Sequence, residues 1–171
     1  GTTDAEEEVC PLRLKTPASP YQASQIEGTS IQPSTILKQF KLLQSRHSMM
    51  LVEGVGGLLV PITARYNVAD LAREIGLPLI IVSRFKVGTL NHTLLTLNAA
   101  RQHGLKIKGI ILNKQENGDL DNVEEQQGKL IEELSDIPIL GTCPYIDDVS
   151  AEGIHKNLGK IKHAFKDSFS M

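Results

Sequence analysis

From about residue 48 onward, short apolar runs alternate with longer amphipathic segments, the rhythm of βα units that feed a parallel sheet. Residues 48–53 read as a buried strand, and residues 54–61 as a glycine-rich turn leading out of it. Residues 67–75 carry helical spacing in Val68, Leu71, Ala72 and Ile75, with Gly76 as the stop. A second strand follows over residues 78–83. Its run of Leu79, Ile80, Ile81 and Val82 shows no polar alternation, as expected of a strand covered by helices on both faces. Residues 89–103 read as a helix with Leu90, Leu94 and Leu97 on one stripe and Gly104 as its end. A third strand over residues 108–113, a polar-faced helix over 121–134, a fourth strand over 137–141 and a last helix complete the alternation. In that last helix Ile154, Leu158, Ile161, Phe165 and Phe169 recur at helical steps, so one apolar face packs while the lysines point outward. Upstream of residue 48 the pattern is less regular. Residues 10–14 suggest a short strand, 16–20 a loop, 20–27 a short helix and 34–45 a longer one.

This alternation predicts an α/β fold, a parallel sheet flanked by helices, and the length of 171 residues suits a single domain over residues 1–171. Composition changes that picture little: 40% hydrophobic and 22% charged residues are ordinary for a globular protein. A net charge of -2 gives no general attraction to nucleic acid or to an anionic membrane, so any bound anion must be held by local geometry. Cys10 and Cys143 are too few and too far apart for a disulfide framework or a zinc site, which suits a reducing cytoplasm. Apolar stretches such as residues 77–82 are far shorter than the roughly 20 residues that span a bilayer. The first residues show no basic segment followed by an apolar one, so no signal peptide is expected.

In an open α/β sheet, ligands bind beyond the carboxyl ends of the strands, and four such junctions are readable. At the first, Glu53 ends an apolar run and Gly54, Val55, Gly56 and Gly57 follow. A carboxylate there can hold Mg²⁺ or its waters, and glycines let backbone approach a phosphate; equally, this is a tight turn whose glutamate faces solvent. At the second, Gly88, Thr89, Leu90, Asn91 and His92 open a helix. Its free N–H groups and dipole favour a carboxylate or phosphate, or else Thr89 is simply a cap. The third ends at Asn113, whose amide offers both donor and acceptor to a base edge or to loop backbone. The fourth, Gly141, Thr142, Cys143, Pro144, Tyr145 and Ile146, is a turn that could lie beside a nucleotide or be only a loop. The five histidines show no metal-ligand spacing, and of the acidic residues Asp4, Glu6, Glu7 and Glu8 only Asp4 is a candidate metal ligand.

Taken in order, these segments resemble the dethiobiotin synthetase family from about Leu14 to about Ser150. Pro17, Ala18, Ser19 and Pro20 resemble its Pro-x-Ser-Pro-His, with Glu27 and Gly28 following. Residues 51–61 (LVEGVGGLLVP) resemble its most recognisable segment, GTLNHTLLTL at residues 88–97 its Gly-x-x-Asn-His helix start, and GIILN at 109–113 its base-reading strand. The resemblance implies a P-loop NTPase-like, Rossmann-like three-layer α/β fold, incomplete here at the N-terminus. It also implies a cytoplasmic homodimeric cyclo-ligase that uses Mg²⁺ and ATP to carboxylate 7,8-diaminopelargonic acid with CO₂ and close the ureido ring. By position Glu53 would be catalytic and bind Mg²⁺, and with Gly54, Val55 and Gly56 lie near the ATP phosphates. Asn113 and Lys114 would meet the adenine, with Pro144, Tyr145 and Ile146 on its other side. Gly88, Thr89, Leu90 and Asn91 would receive the substrate's tail carboxylate from the neighbouring subunit. Asp4 with Ala5 resembles an Asp-Ala pair at the family's metal site.

The sequence departs from that family in several places. It contains no Gly-x-x-x-x-Gly-Lys-Ser/Thr, because Gly128-Lys129 and Gly159-Lys160 lack both the upstream glycine and the following hydroxyl residue. The family's Lys-Pro segment is also missing, and Gly1 resembles the residue that follows it, so the chain is expected to begin after the first two strands of a longer enzyme. The stretch between Asp4 and Pro11 has room for no helix, and Tyr21 stands where the family has histidine. Two rivals keep the fold and change the function: a non-catalytic nucleotide- or effector-binding module, and another P-loop ligase or ATPase relative.

Overall fold

The computed structural model describes residues 3–118 and 122–164. The chain forms two compact units, one from residues up to Leu77 together with Gln102–Leu105, the other from Pro78–Arg101 and the residues from Lys106 onward.

The first unit holds α1 (Glu6–Val9), α2 (Pro20–Glu27), α3 (Pro33–Arg46), β1 (Pro61–Thr63), β2 (Tyr66–Asn67) and α4 (Val68–Ile75). Local chemistry explains the boundaries of its helices. Pro20 opens α2 behind Ser19, whose hydroxyl accepts from the Gln22 N–H, and Gly28 closes it at φ 62°. In α4 the Asn67 side chain accepts from the Asp70 N–H while the Asp70 carboxylate accepts from the Asn67 N–H, a reciprocal cap that satisfies two orphan donors. A small core of Ile31, Ile62 and Val68 binds the unit, with Leu12, Leu14, Val60, Tyr66 and Leu71 packed on it.

Three expectations fail in this unit. Residues 10–14 form no strand; Leu12 and Leu14 serve the core from irregular backbone. The stretch after Asp4 does make one helical turn, α1, capped on the Ala5 and Glu6 carbonyls. Residues 48–53 are not a strand either, and Met49 and Leu51 are 80% and 91% exposed. An apolar run becomes a strand only where neighbours supply ladder partners, and no described strand lies alongside this one. The β1–β2 hairpin was not anticipated; its two strands pair antiparallel, Pro61 with Asn67 and Thr63 with Tyr66.

The second unit is the expected βαβ alternation: β3 (Leu79–Arg84), α5 (Thr89–Gln102), β4 (Ile107–Asn113), α6 (Asn122–Ser135), β5 (Ile139–Cys143) and α7 (Ala151–Ala164). The strands form a parallel sheet in the order β3-β4-β5. Ile110 and Leu112, two residues apart on one face of β4, are buried with Phe85, with Leu97 of α5 and with Ile131 of α6. A buried hydrogen bond of 2.8 Å between the Ser83 and Thr93 hydroxyls ties β3 to α5. Ile81 packs on this core, whereas Val82 on the opposite face of β3 is 63% exposed, so the strand is not covered on both faces as its uniform apolarity suggested. Asp121, Phe165 and Phe169 lie outside the described residues. No described helix is long and apolar enough to cross a membrane.

Candidate functional site

Parallel pairing brings the carboxyl ends of the three strands of the second unit level with one another. Arg84 pairs with Asn113, and Asn113 with Cys143. One residue on, the Lys114 N–H donates to the Cys143 carbonyl at 3.0 Å, so the chain leaving β4 stays stitched to the chain leaving β5. Asn113, Lys114, Pro144, Tyr145 and Ile146 are all half-buried and belong to this shared rim. The Lys114 ammonium folds back on the Gly118 carbonyl. Burial pushes the Cys143 thiol above its ordinary pKa, leaving it a poor nucleophile.

The turn from β3 into α5 is fixed by packing and backbone hydrogen bonds. Phe85 is anchored in the core, Gly88 takes φ 91°, and the Thr89 N–H donates to the Lys86 carbonyl at 3.0 Å. That positive φ is what glycine supplies without strain. The first helical bond runs from the His92 N–H to the Gly88 carbonyl, which leaves the amides of Leu90 and Asn91 in the first turn ahead of the ladder. Asn91 and Gly88 are exposed and Leu90 is half-buried, whereas Thr89 is buried and its own amide is already engaged. The helix entrance is therefore open to solvent at Gly88 and Asn91, with the positive end of the α5 dipole behind it.

In the first unit, Glu53, Gly54, Val55 and Gly56 lie on one exposed, irregular segment. Two of the glycines sit in tight places: a Cβ on Gly54 would stand 3.0 Å from the Val68 side chain, and Gly56 sits at φ 68° with Val60 3.1 Å from a Cβ position. The turn closes with the Val60 N–H on the Gly57 carbonyl, and Ala69 of α4 donates to the Leu58 carbonyl. Asp4 is differently placed. Its Oδ2 lies 2.8 Å from His47 Nε2 and its Oδ1 3.7 Å from Arg46 Nη1, while Arg46 also donates to Glu8 at 2.8 Å. Both oxygens of Asp4 are thus occupied by cationic or hydrogen-bonding neighbours. Among the described residues no three His, Cys, Asp or Glu side chains converge as a metal cage.

A family model described as an AAA domain matches residues 1–153. The chain is 38% identical over 158 residues to the ATP-dependent dethiobiotin synthetase BioD of Thermodesulfovibrio yellowstonii, covering 88% of this chain and 66% of that one. Against the protein of the same name from Bacillus velezensis it is 38% identical over 160 residues, covering 93% and 68%. The Bacillus subtilis protein of that name is 35% identical over 153 residues, covering 90% and 66%. The chain belongs to the dethiobiotin synthetase family. It spans about two thirds of the length of these curated relatives. Membership places the three-stranded parallel sheet and its helices in the P-loop NTPase-like α/β class.

Within that family frame, sequence reasoning missed two polar residues. His47, one of five histidines without metal-ligand spacing, is the partner of Asp4. Gln127, on a helix read only as polar-faced, is buried and donates its side-chain amide to the Lys86 carbonyl at 3.3 Å. The spacing signalled its burial alone: Gln127, Ile131 and Ser135 follow one another at steps of four along the buried stripe of α6. A polar residue in register with an isoleucine on a core stripe is the pattern to look for.

Proposed function

We propose that the protein carrying these residues is a Mg²⁺- and ATP-dependent cyclo-ligase that carboxylates 7,8-diaminopelargonic acid with CO₂ and closes the ureido ring of dethiobiotin. The observation that carries this reading is the open entrance of α5, where Gly88, Leu90 and Asn91 present first-turn backbone at the positive end of a helix. A small substrate with a terminal carboxylate suits such a site, and the relatives' shared name supplies the reaction. The rim of Asn113, Lys114, Pro144, Tyr145 and Ile146 is the adenine site in this reading. Glu53, Gly54, Val55 and Gly56 lie by the phosphates, with glycines that allow close backbone approach.

Mg²⁺ suits Glu53, an exposed oxygen donor, since this ion takes one or two carboxylates and completes its shell with phosphate and water. When bound it would supply charge neutralisation for the phosphoryl group in flight. Asp4 joins that site only by giving up His47 and Arg46. The reading takes the whole chain as part of one α/β domain, acting as a cytoplasmic homodimer in which one subunit's α5 entrance receives the substrate held by its partner. The test is Glu53→Gln in the intact protein. Loss of roughly 100- to 1,000-fold in kcat is expected, as for removal of one preorganised electrostatic contact. Turnover equal to wild type would remove Glu53 from the mechanism.

A further inference from the structure

We propose that Gln127 is a positioning residue for the α5 entrance, holding the turn at residues 86–88 so that the first-turn amides face an incoming carboxylate. The inference rests on the reading of that entrance as the receiver of the substrate's tail. Gln127 is 7% exposed, and its Nε2 reaches the Lys86 carbonyl across 41 residues of chain at 3.3 Å. The same carbonyl accepts from the Thr89 N–H at 3.0 Å, so its two lone pairs serve two donors, one from α5 and one from α6. Phe85, one residue earlier, is locked in the core. The turn is therefore held at successive residues, while the Lys86 ammonium reaches to Glu116 at 3.4 Å. Gly88 then makes its reversal and the helix begins.

Packing alone does not account for an amide at this position. Among the described residues the Gln127 Oε1 is buried with no hydrogen-bond partner, and so is the hydroxyl of Thr89, which is 3% exposed. Leaving such groups unmet is costly, and a leucine or methionine on the stripe of Ile131 would fill the space without that cost. What a methionine cannot do is donate to the Lys86 carbonyl. The atom facing that carbonyl must be the NH₂, since Oε1 there would set one acceptor against another. Sequence spacing carries no hint of this link, because α6 and the 86–88 turn meet only in the fold.

Losing the clamp would loosen the carboxylate-facing turn without touching the groups assigned to the phosphates, so the effect belongs in ground-state binding of one substrate. In the intact enzyme, Gln127→Met is expected to raise the KM for diaminopelargonic acid roughly five- to tenfold, the worth of about one hydrogen bond. Its kcat and its KM for ATP should stay within about twofold of wild type. Gln127→Glu provides the second variant: its protonated carboxyl can donate where its carboxylate cannot, so its KM should fall toward wild type as pH is lowered, while that of Gln127→Met stays high. The same diamine lacking the terminal carboxylate separates the two readings. It should bind wild type weakly, and equally weakly to Gln127→Met. If that analogue binds as tightly as the acid, the carboxylate site and this inference both fail. If the analogue binds weakly but both variants keep the wild-type KM for the acid, the role of Gln127 alone is overturned. A joint loss of kcat and of ATP affinity in both variants would assign Gln127 to packing instead.

Discussion

Residues 79–82 and 49–52 are apolar runs of equal length that end in opposite states. Leu79, Ile80, Ile81 and Val82 sit in β3, paired along their length with β4 and with Ile81 against a filled core. Met49, Met50, Leu51 and Val52 have no described strand beside them, and Leu51 is 91% exposed. Intrinsic preference does not separate the two. What separates them is whether a neighbour supplies backbone hydrogen bonds and a face to bury, which is why strand formation depends on context more than helix formation does. The second unit is held chiefly by apolar packing around a ladder. The first has a smaller contiguous buried cluster, Ile31, Ile62 and Val68, and adds polar locks, the local Asn67–Asp70 cap and the long-range Asp4–His47 pair.

The largest expected effect sets these regimes against each other. Ile110→Ala, at the fully buried centre of β4, should lower stability by about 2–5 kcal/mol through lost transfer energy and a cavity. Leu51→Ala in the same 171-residue chain should change it by no more than about 0.5 kcal/mol. Denaturant midpoints at unchanged m would show the contrast, and a large loss from Leu51→Ala would place that residue in a core. Next comes Gly109→Ala. A Cβ there would stand 2.5 Å from Leu140, so overpacking should cost about 1–3 kcal/mol, measured the same way.

The smallest effect concerns pH. The Glu27 carboxylate accepts from the Thr16 N–H at 2.6 Å, and that bond holds its pKa below the ordinary carboxylate value. A depressed folded-state pKa means the contribution is fully present above the unfolded pKa and is lost as pH falls through the folded one. Hydrogen exchange at Thr16 should therefore quicken on the acid side of the usual carboxylate range, before protection of the β4 amides changes. Glu27→Gln should abolish that pH dependence. Simultaneous loss of protection at Thr16 and in β4 would contradict the division.

Much of the second unit was legible in the sequence because its signals are local or strongly periodic. Gly76 and Gly104 mark helix ends at positive φ, Leu97 lies on the predicted stripe, and all three strands fall within two or three residues of their expected limits. The first unit was less legible. Leu12 and Leu14 are apolar because they cover a core from irregular backbone, which reads like a strand, and the β1–β2 hairpin is too short to impose a period. Of the candidate site, Asn113 and Pro144 could be placed at strand ends from the alternation alone. The occupation of Asp4 by His47, and the reach of Gln127 to Lys86, join residues 43 and 41 positions apart and become visible only in the fold.

Product analysis tests the central claim most directly. The intact protein would be incubated with diaminopelargonic acid, ATP, Mg²⁺ and ¹³C-bicarbonate. The account predicts the label in the carbonyl of a cyclic urea, with one ADP and one phosphate released per ring. ATP hydrolysis that leaves the diamine unlabelled, or no turnover while the fold is intact, would contradict it.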